Sequence, residues 1–234
     1  RIERVLQLAV DVKRRPQEYR TALADRTLVM LFEKPSLRTR VSFEAAMTQL
    51  GGHAIYYDLG NSPLGRGKET VEDTARVLSR YADAIMARLY RHSDMVALAR
   101  HATVPVINGL TNDEHPTQIL ADLMTILEHK RSLRGLTLAY LGDGLNNVTH
   151  SLLLAAARVG LHMRVGCPDA PAYRPDPAVV ARARRLAARS GSQITITCDA
   201  RAAVRGADVV YTDSWMSYHI PAAQPEARRV RFAP

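Results

Sequence analysis

Cysteine is nearly absent: Cys167 and Cys198 are the only two in 234 residues. Two are too few for a disulfide framework and lack metal-ligand spacing, so the composition points to a reducing compartment. Long apolar runs are missing too. No stretch approaches the ~18 to 20 residues a membrane span needs, and RIERVLQLAV carries charge where a signal peptide would turn apolar. A cytoplasmic protein is the expectation. Lysine is scarce as well: Lys13, Lys34, Lys68 and Lys130 are the only lysines among 32 basic residues, so the formal charge of +9 rests on arginine. Those arginines are scattered on helical patterns such as AVVARARRLAARS, without a basic run or interleaved aromatics. This argues against nucleic acid and leaves room for a small anionic substrate.

What is present is alternation. After a helix over RIERVLQLAVDVKRR that Pro16 stops, TLVMLF (Thr27 to Phe32) predicts a buried strand and Ser36 to about Leu50 a helix ended by Gly51 and Gly52. HAIYYDL, DAIMAR and VPVIN are strands, with ETVEDTARVLSRY and DMVALARHA as helices between them. A longer helix runs from His115 to Lys130. The pattern then restarts, with strands at LTLAYLG, HMRVGC, QITIT and ADVVYTD and helices at NNVTHSLLLAAARVG, PAVVARARRLAARSG and DARAAVRG. Strands alternating with helices imply parallel sheets with right-handed crossovers. The fold class is therefore α/β, with two doubly wound parallel-sheet domains carrying helices on both faces, residues 1–130 and 131–234. Ligands of such sheets gather beyond the carboxyl ends of the strands.

Four clusters and one single residue, Arg88, lie at such ends. Ser36 occupies a helix N-cap position, where unpaired N–H groups favour anions, with Arg38 and Thr39 in the next turn. This suits either a phosphate cradle or an ordinary capped helix with exposed arginines. His115 and Gln118 share one face at the start of a helix, and a neutral histidine there could donate to a developing oxyanion, or simply pack. Arg88 ends the DAIMAR strand. In the second block LAYLGDGLNNVTHS resembles a dinucleotide fingerprint, but Asn147 stands at the third position, where Gly or Ala is expected, and no acidic residue clearly closes the next strand. Nicotinamide binding is not expected. TDSWMS brings Asp213 and Ser217 to the end of a further strand.

In this order the clusters resemble the aspartate/ornithine carbamoyltransferase family, and within it the ornithine branch. The S-T-R-T-R phosphate motif appears as Ser36-Leu37-Arg38-Thr39-Arg40, H-P-x-Q as His115-Pro116-Thr117-Gln118, G-D-x-x-N-N as GDGLNN, and D-T-W-x-S as Asp213-Ser214-Trp215-Met216-Ser217. The resemblance implies a carbamoyl-phosphate domain and an amino-acid domain, assembled as homotrimers or multiples of trimers, without metal or organic cofactor. It implies that Ser36, Leu37 (through its backbone N–H), Arg38 and Thr39 hold the phosphate, and that Arg88, His115 and Gln118 hold the carbamoyl group. Arg88, His115, Arg38 and Thr39 would stabilise the charge that develops in the reaction. Asn147, Asp213 and Ser217, with Tyr218 after them, would hold L-ornithine, the partner substrate of carbamoyl phosphate. Arg40 and Glu44 would support the helix. Neither nucleic acid nor membrane enters this picture.

Departures from the pattern are specific. Leu37 replaces a threonine. Pro63 stands where the branch often has a glutamine that reaches the neighbouring subunit's site, so Arg66 or Lys68 would have to take its place. After Ser217 the branch continues M-G and acidic residues, whereas this chain has Tyr218-His219-Ile220-Pro221. That change admits acetylornithine or putrescine as alternative amines, or a non-catalytic anion-binding relative. The family's H-C-L-P motif and a later arginine fall beyond Pro234, so the natural chain is expected to continue.

Overall fold

The computed structural model describes residues 1–64, 66–214, 228, 230 and 232. The chain divides into two compact units, residues 3–117 and 118–234.

In the first unit the elements run α1 (Ile2–Arg14), β1 (Thr27–Phe32), α2 (Leu37–Gln49), β2 (His53–Asp58), α3 (Val71–Leu78), β3 (Ala84–Arg88), α4 (His92–His101) and β4 (Val106–Leu110). The strands form one parallel sheet in the order β2-β1-β3-β4. Strand β1 is buried on both faces because successive side chains point to opposite sides. Val29 and Leu31 enter one core with Ala75 of α3 and Met95 and Leu98 of α4. Leu28, Met30 and Phe32 enter another with Met47 of α2, and Phe43 packs against it. The sheet is thus covered by helices on both faces. From β1 the chain moves out to β2 at one edge and returns to β3 and β4 on the other side, so the winding reverses between β1 and β3. The crevice at the carboxyl ends of those two strands is where a doubly wound sheet takes its ligand.

Helix α5 (Pro116–Lys130) begins just before the division between the units, and the expected domain boundary at residue 130 is its last residue. There follow β5 (Thr137–Leu141), α6 (Asn147–Val159), β6 (His162–Gly166), α7 (Pro177–Ser190), β7 (Ile194–Thr197), α8 (Ala200–Val204) and β8 (Val209–Tyr211). The second sheet is also parallel, ordered β7-β6-β5-β8, and its winding reverses between β5 and β8. The hydrophobic helix α6 is mostly buried and packs on α7. It starts on Asn146, whose side chain accepts from the Thr149 N–H at 2.8 Å, and stops at Gly160, whose φ of 79° only glycine takes without strain. Gly144, in the turn between β5 and α6, has a different reason to be glycine. A Cβ there would come within 2.7 Å of both the Tyr173 carbonyl and the Pro175 ring.

Among the described residues no helix is long and apolar enough to cross a membrane.

Candidate active site

Ser36 takes extended backbone and caps α2, its Oγ accepting from the Thr39 N–H at 3.3 Å. Its hydroxyl also donates to Thr39 Oγ1 at 3.0 Å. Arg88 supplies the partner that local sequence could not specify. It ends β3, is buried, donates from Nε to the Lys34 carbonyl at 3.2 Å and reaches Thr39 Oγ1 with Nη1 at 3.4 Å. A hydroxyl has two acceptor positions and one hydrogen. With Ser36 and Arg88 filling the acceptor positions, the Thr39 hydrogen is left to donate to something else.

The loop between β1 and α2 is tied down at its root. The Glu33 N–H donates to the Arg88 carbonyl at 3.0 Å, and the Glu33 carboxylate accepts from the Tyr90 N–H at 2.7 Å. Lys34, which the sequence reading left out of the site, is only 4% exposed, with its ammonium 5.5 Å from the centre of the Tyr90 ring. Burial first, and the Arg88 charge second, hold its pKa below the usual lysine range. Arg38 is exposed, as is the Leu37 side chain at 78%, so replacing the family's threonine there disturbs no packing. Arg40 pairs with Glu44 at 3.0 Å and lies 3.7 Å from the centre of the Tyr56 ring, as expected of a residue that supports α2. Of the loop after β2, Arg66 and Lys68 are exposed, and the Pro63 carbonyl accepts from the Lys68 N–H at 2.8 Å.

His115 is delivered by a turn between β4 and α5. Thr111 is buried there; its N–H donates to the Glu114 carbonyl at 2.8 Å and its Oγ1 accepts from the Glu114 N–H at 3.1 Å. The Thr117 hydroxyl lies 3.4 Å from His115 Nδ1 and 3.5 Å from the Gly109 carbonyl. Burial, then the Arg88 charge, then that of Lys34, push the His115 pKa from 6.5 down to about 4. The ring is therefore neutral at physiological pH.

This has a measurable consequence. An unfolded histidine takes its proton near pH 6.5 and the folded one only near 4, so folding is opposed between those values. The stability gained by keeping His115 neutral is complete above about pH 6.5 and is lost as the pH falls toward 4, a total of about 3 kcal/mol. Denaturant melts of the parent and His115→Asn should accordingly converge as the pH is lowered from 7 to 4; parallel curves would rule out a buried neutral imidazole.

In the second unit, Asn147 is the first residue of α6 and is half-buried, while Asp213 is half-buried two residues past β8. Both stand at the reversal between β5 and β8. The turn before α6 is closely hydrogen-bonded: Tyr140 Oη donates to the Asp143 carbonyl at 3.0 Å, and Asn146 Nδ2 donates to Tyr140 Oη at 2.9 Å. Gln118 is exposed; its Nε2 donates to Asp122 Oδ1 at 3.0 Å, and the hydroxyl of Tyr211 donates to Asp122 Oδ2 at 3.1 Å. Burial raises the Asp122 pKa, the bonds from Gln118 and Tyr211 oppose the rise, and the Asp213 charge adds to it. Ser217 and Tyr218 lie outside the described residues. Asp122 and Tyr211 were not among the residues singled out from the sequence, and their separation of 89 positions carried no local signal.

Taken separately, the first unit presents neutral and cationic donors around a helix N-terminus, a set suited to a phosphorylated, carbonyl-bearing anion. The second presents an asparagine and an aspartate, suited to the polar groups of an amino acid.

Residues 1–128 match the family profile described as aspartate/ornithine carbamoyltransferase, carbamoyl-P binding domain, and residues 134–234 match its Asp/Orn binding domain. An ornithine carbamoyltransferase of Anoxybacillus flavithermus is 53% identical over all of this chain, which spans 73% of that protein. One from Pyrococcus furiosus, described as anabolic, is 51% identical over 91% of this chain and 66% of its own length. The solved structure of ornithine carbamoyltransferase from Pyrococcus furiosus superposes with a TM-score of 0.92 at 48% identity, over 100% of this chain and 74% of that one. A doubly wound pair of units, with the S-x-R-T-R, H-P-x-Q and G-D-x-x-N-N segments at their strand ends, places the chain in the aspartate/ornithine carbamoyltransferase family.

Proposed function

We propose that the protein transfers the carbamoyl group of carbamoyl phosphate to the δ-amine of L-ornithine, giving L-citrulline and phosphate in the biosynthesis of arginine. The observation that carries this reading is the meeting of Arg88 with Thr39 at the reversal between β1 and β3. It joins a charged donor to the capped start of α2, the S-x-R-T-R segment. In this reading residues 1–130 bind carbamoyl phosphate and residues 131–234 the amino acid.

Ser36, the Leu37 N–H, Arg38 and Thr39 hold the phosphate. Arg88, His115 and Gln118 hold the carbamoyl group. Asn147, Asp213, Ser217 and Tyr218 receive the α-carboxylate and α-amino groups of ornithine. The uncharged δ-nitrogen attacks the carbamoyl carbon, a C–N bond forms, and the carbonyl electrons move onto oxygen. The Thr39 hydrogen, Arg88 and neutral His115 stabilise that oxygen. The Thr117 hydroxyl has one hydrogen, shared between the Gly109 carbonyl and His115 Nδ1; given to Nδ1, it leaves the single ring hydrogen on Nε2, the tautomer an oxyanion donor requires. Collapse breaks the bond to the phosphate oxygen, with Arg38 facing the leaving charge, and the surplus proton of the attacking nitrogen departs with phosphate.

Homotrimers, or multiples of them, belong to this reading. Their support in this chain is apolar surface on α2 and on the edge strand β2, where Leu37, Val41, Ile55 and Tyr57 are exposed. A cytoplasmic location also belongs to it.

A panel of ornithine, acetylornithine and putrescine at fixed carbamoyl phosphate tests the assignment in the full-length protein. Citrulline should form at least about tenfold faster than either other product, the lower end of what one polar group left unpaired in a site costs. Preference for another amine would overturn the substrate, and no turnover with any would overturn the enzyme.

A further inference from the structure

The side-chain amide of glutamine has a donor end and an acceptor end, and an exposed one can turn between them. Asp122 and Tyr211 remove that freedom from Gln118. An ionised carboxylate only accepts, so Asp122 Oδ1 takes the NH2 end of Gln118 at 3.0 Å and repels the oxygen end. Asp122 itself is fixed from the other side, its Oδ2 accepting from Tyr211 Oη at 3.1 Å. Tyr211 is held in turn, its ring stacked on that of buried Tyr140 with 6.0 Å between centroids. The amide is left with its carbonyl oxygen unclaimed by Asp122.

We propose that Asp122 and Tyr211 are positioning residues that lock Gln118 so that its carbonyl oxygen is the atom offered to the NH2 group of the carbamoyl moiety. The inference rests on the reading of Gln118 as a carbamoyl contact. It deepens that reading by specifying the atom and what selects it: a carbamoyl NH2 can only donate, and the locked amide presents only an acceptor. Acetyl phosphate has a methyl group in place of that NH2 and nothing to donate to the Gln118 oxygen, so it should be discriminated against at this position. Tyr211 ends β8, the strand that leads into Asp213, so within this unit the orientation of Gln118 depends on the seating of that strand end.

The test is a set of double-mutant cycles in the full-length protein, reading kcat/KM for carbamoyl phosphate at saturating ornithine. Gln118→Ala, Asp122→Asn and Tyr211→Phe should each lose about tenfold or more. Adding Asp122→Asn or Tyr211→Phe to Gln118→Ala should cost nothing further, because the lock has nothing left to hold. Losses that multiply would overturn the proposal and assign Asp122 and Tyr211 a role independent of Gln118. Full activity in Gln118→Ala would overturn the underlying reading of Gln118, a failure recognisable because it appears in the single variant. Tyr211→Phe deletes one oxygen, so that arm reads the coupling even where Asp122→Asn folds poorly.

Discussion

Arg38→Ala should lower citrulline formation by roughly a thousandfold while leaving the melting temperature within about 2 °C of the parent. The two halves of this expectation have separate physical origins. Arg38 is exposed in the first turn of α2, and the cap is made by Ser36 and Thr39, so its removal takes away no packing and no capping bond. Arg38 is the second residue of α2, in the segment that would carry the phosphate, and a bidentate cation there adds to the fixed donors of the helix. Because phosphate gains charge as it leaves, the loss should fall on kcat more than on KM for carbamoyl phosphate. Rapid-quench measurement of citrulline, with a thermal melt of the same sample, checks both halves. Near-parent turnover would sink the phosphate assignment, whereas a collapsed melt would show that the residue supports the fold.

Arg88→Met should reduce kcat by at least about a hundredfold, with a smaller effect on stability than its burial suggests. Replacing a buried charge by an apolar side chain of similar length often costs little. Arg88 also lowers the pKa values of His115 and Lys34, so removing it should raise both. An upward shift of the His115 imidazole resonance titration in Arg88→Met would report the lost charge independently of activity. Arg88→Lys should not restore turnover, because one ammonium cannot reach both the Lys34 carbonyl and Thr39 as the fork does. Near-parent kcat in the lysine variant would remove the geometric argument.

The elements were legible because each obeys a local rule. TLVMLF is apolar on both faces and β-branched enough to be a covered strand, and Ser36 precedes a helix whose Thr39 N–H it can reach. The ends of α6 and α7 were marked by glycines with left-handed backbone, Gly160 and Gly191. What local rules could not supply was company. Ser36 alone suits a routine cap as well as a phosphate site, and the proposal of the second leans on Arg88, 49 positions after Thr39. Lys34 escaped notice because a lysine is ordinarily solvated, and only the approach of Arg88 and Tyr90 encloses it. Asp122 was missed because its i, i+4 relation to Gln118 is common on helix surfaces, and its second bond comes from a strand far along the chain. The family's order of motifs bridged some of these distances, but only for residues inside the motifs.

The parallel order of the first sheet also bears on how the protein is made. Strand β1 reaches solution early in synthesis, yet its central neighbour β3 ends at Arg88, and the intervening chain must first visit the edge as β2. The capped start of α2 can form as soon as its own residues are free, but the buried ion over it arrives about fifty residues later, and His115 later still. Chain growth adds roughly 5 to 20 residues per second. For some seconds the nascent polypeptide therefore carries the apolar face of β1 without its central neighbour, an unpaired strand edge of the kind that invites aggregation.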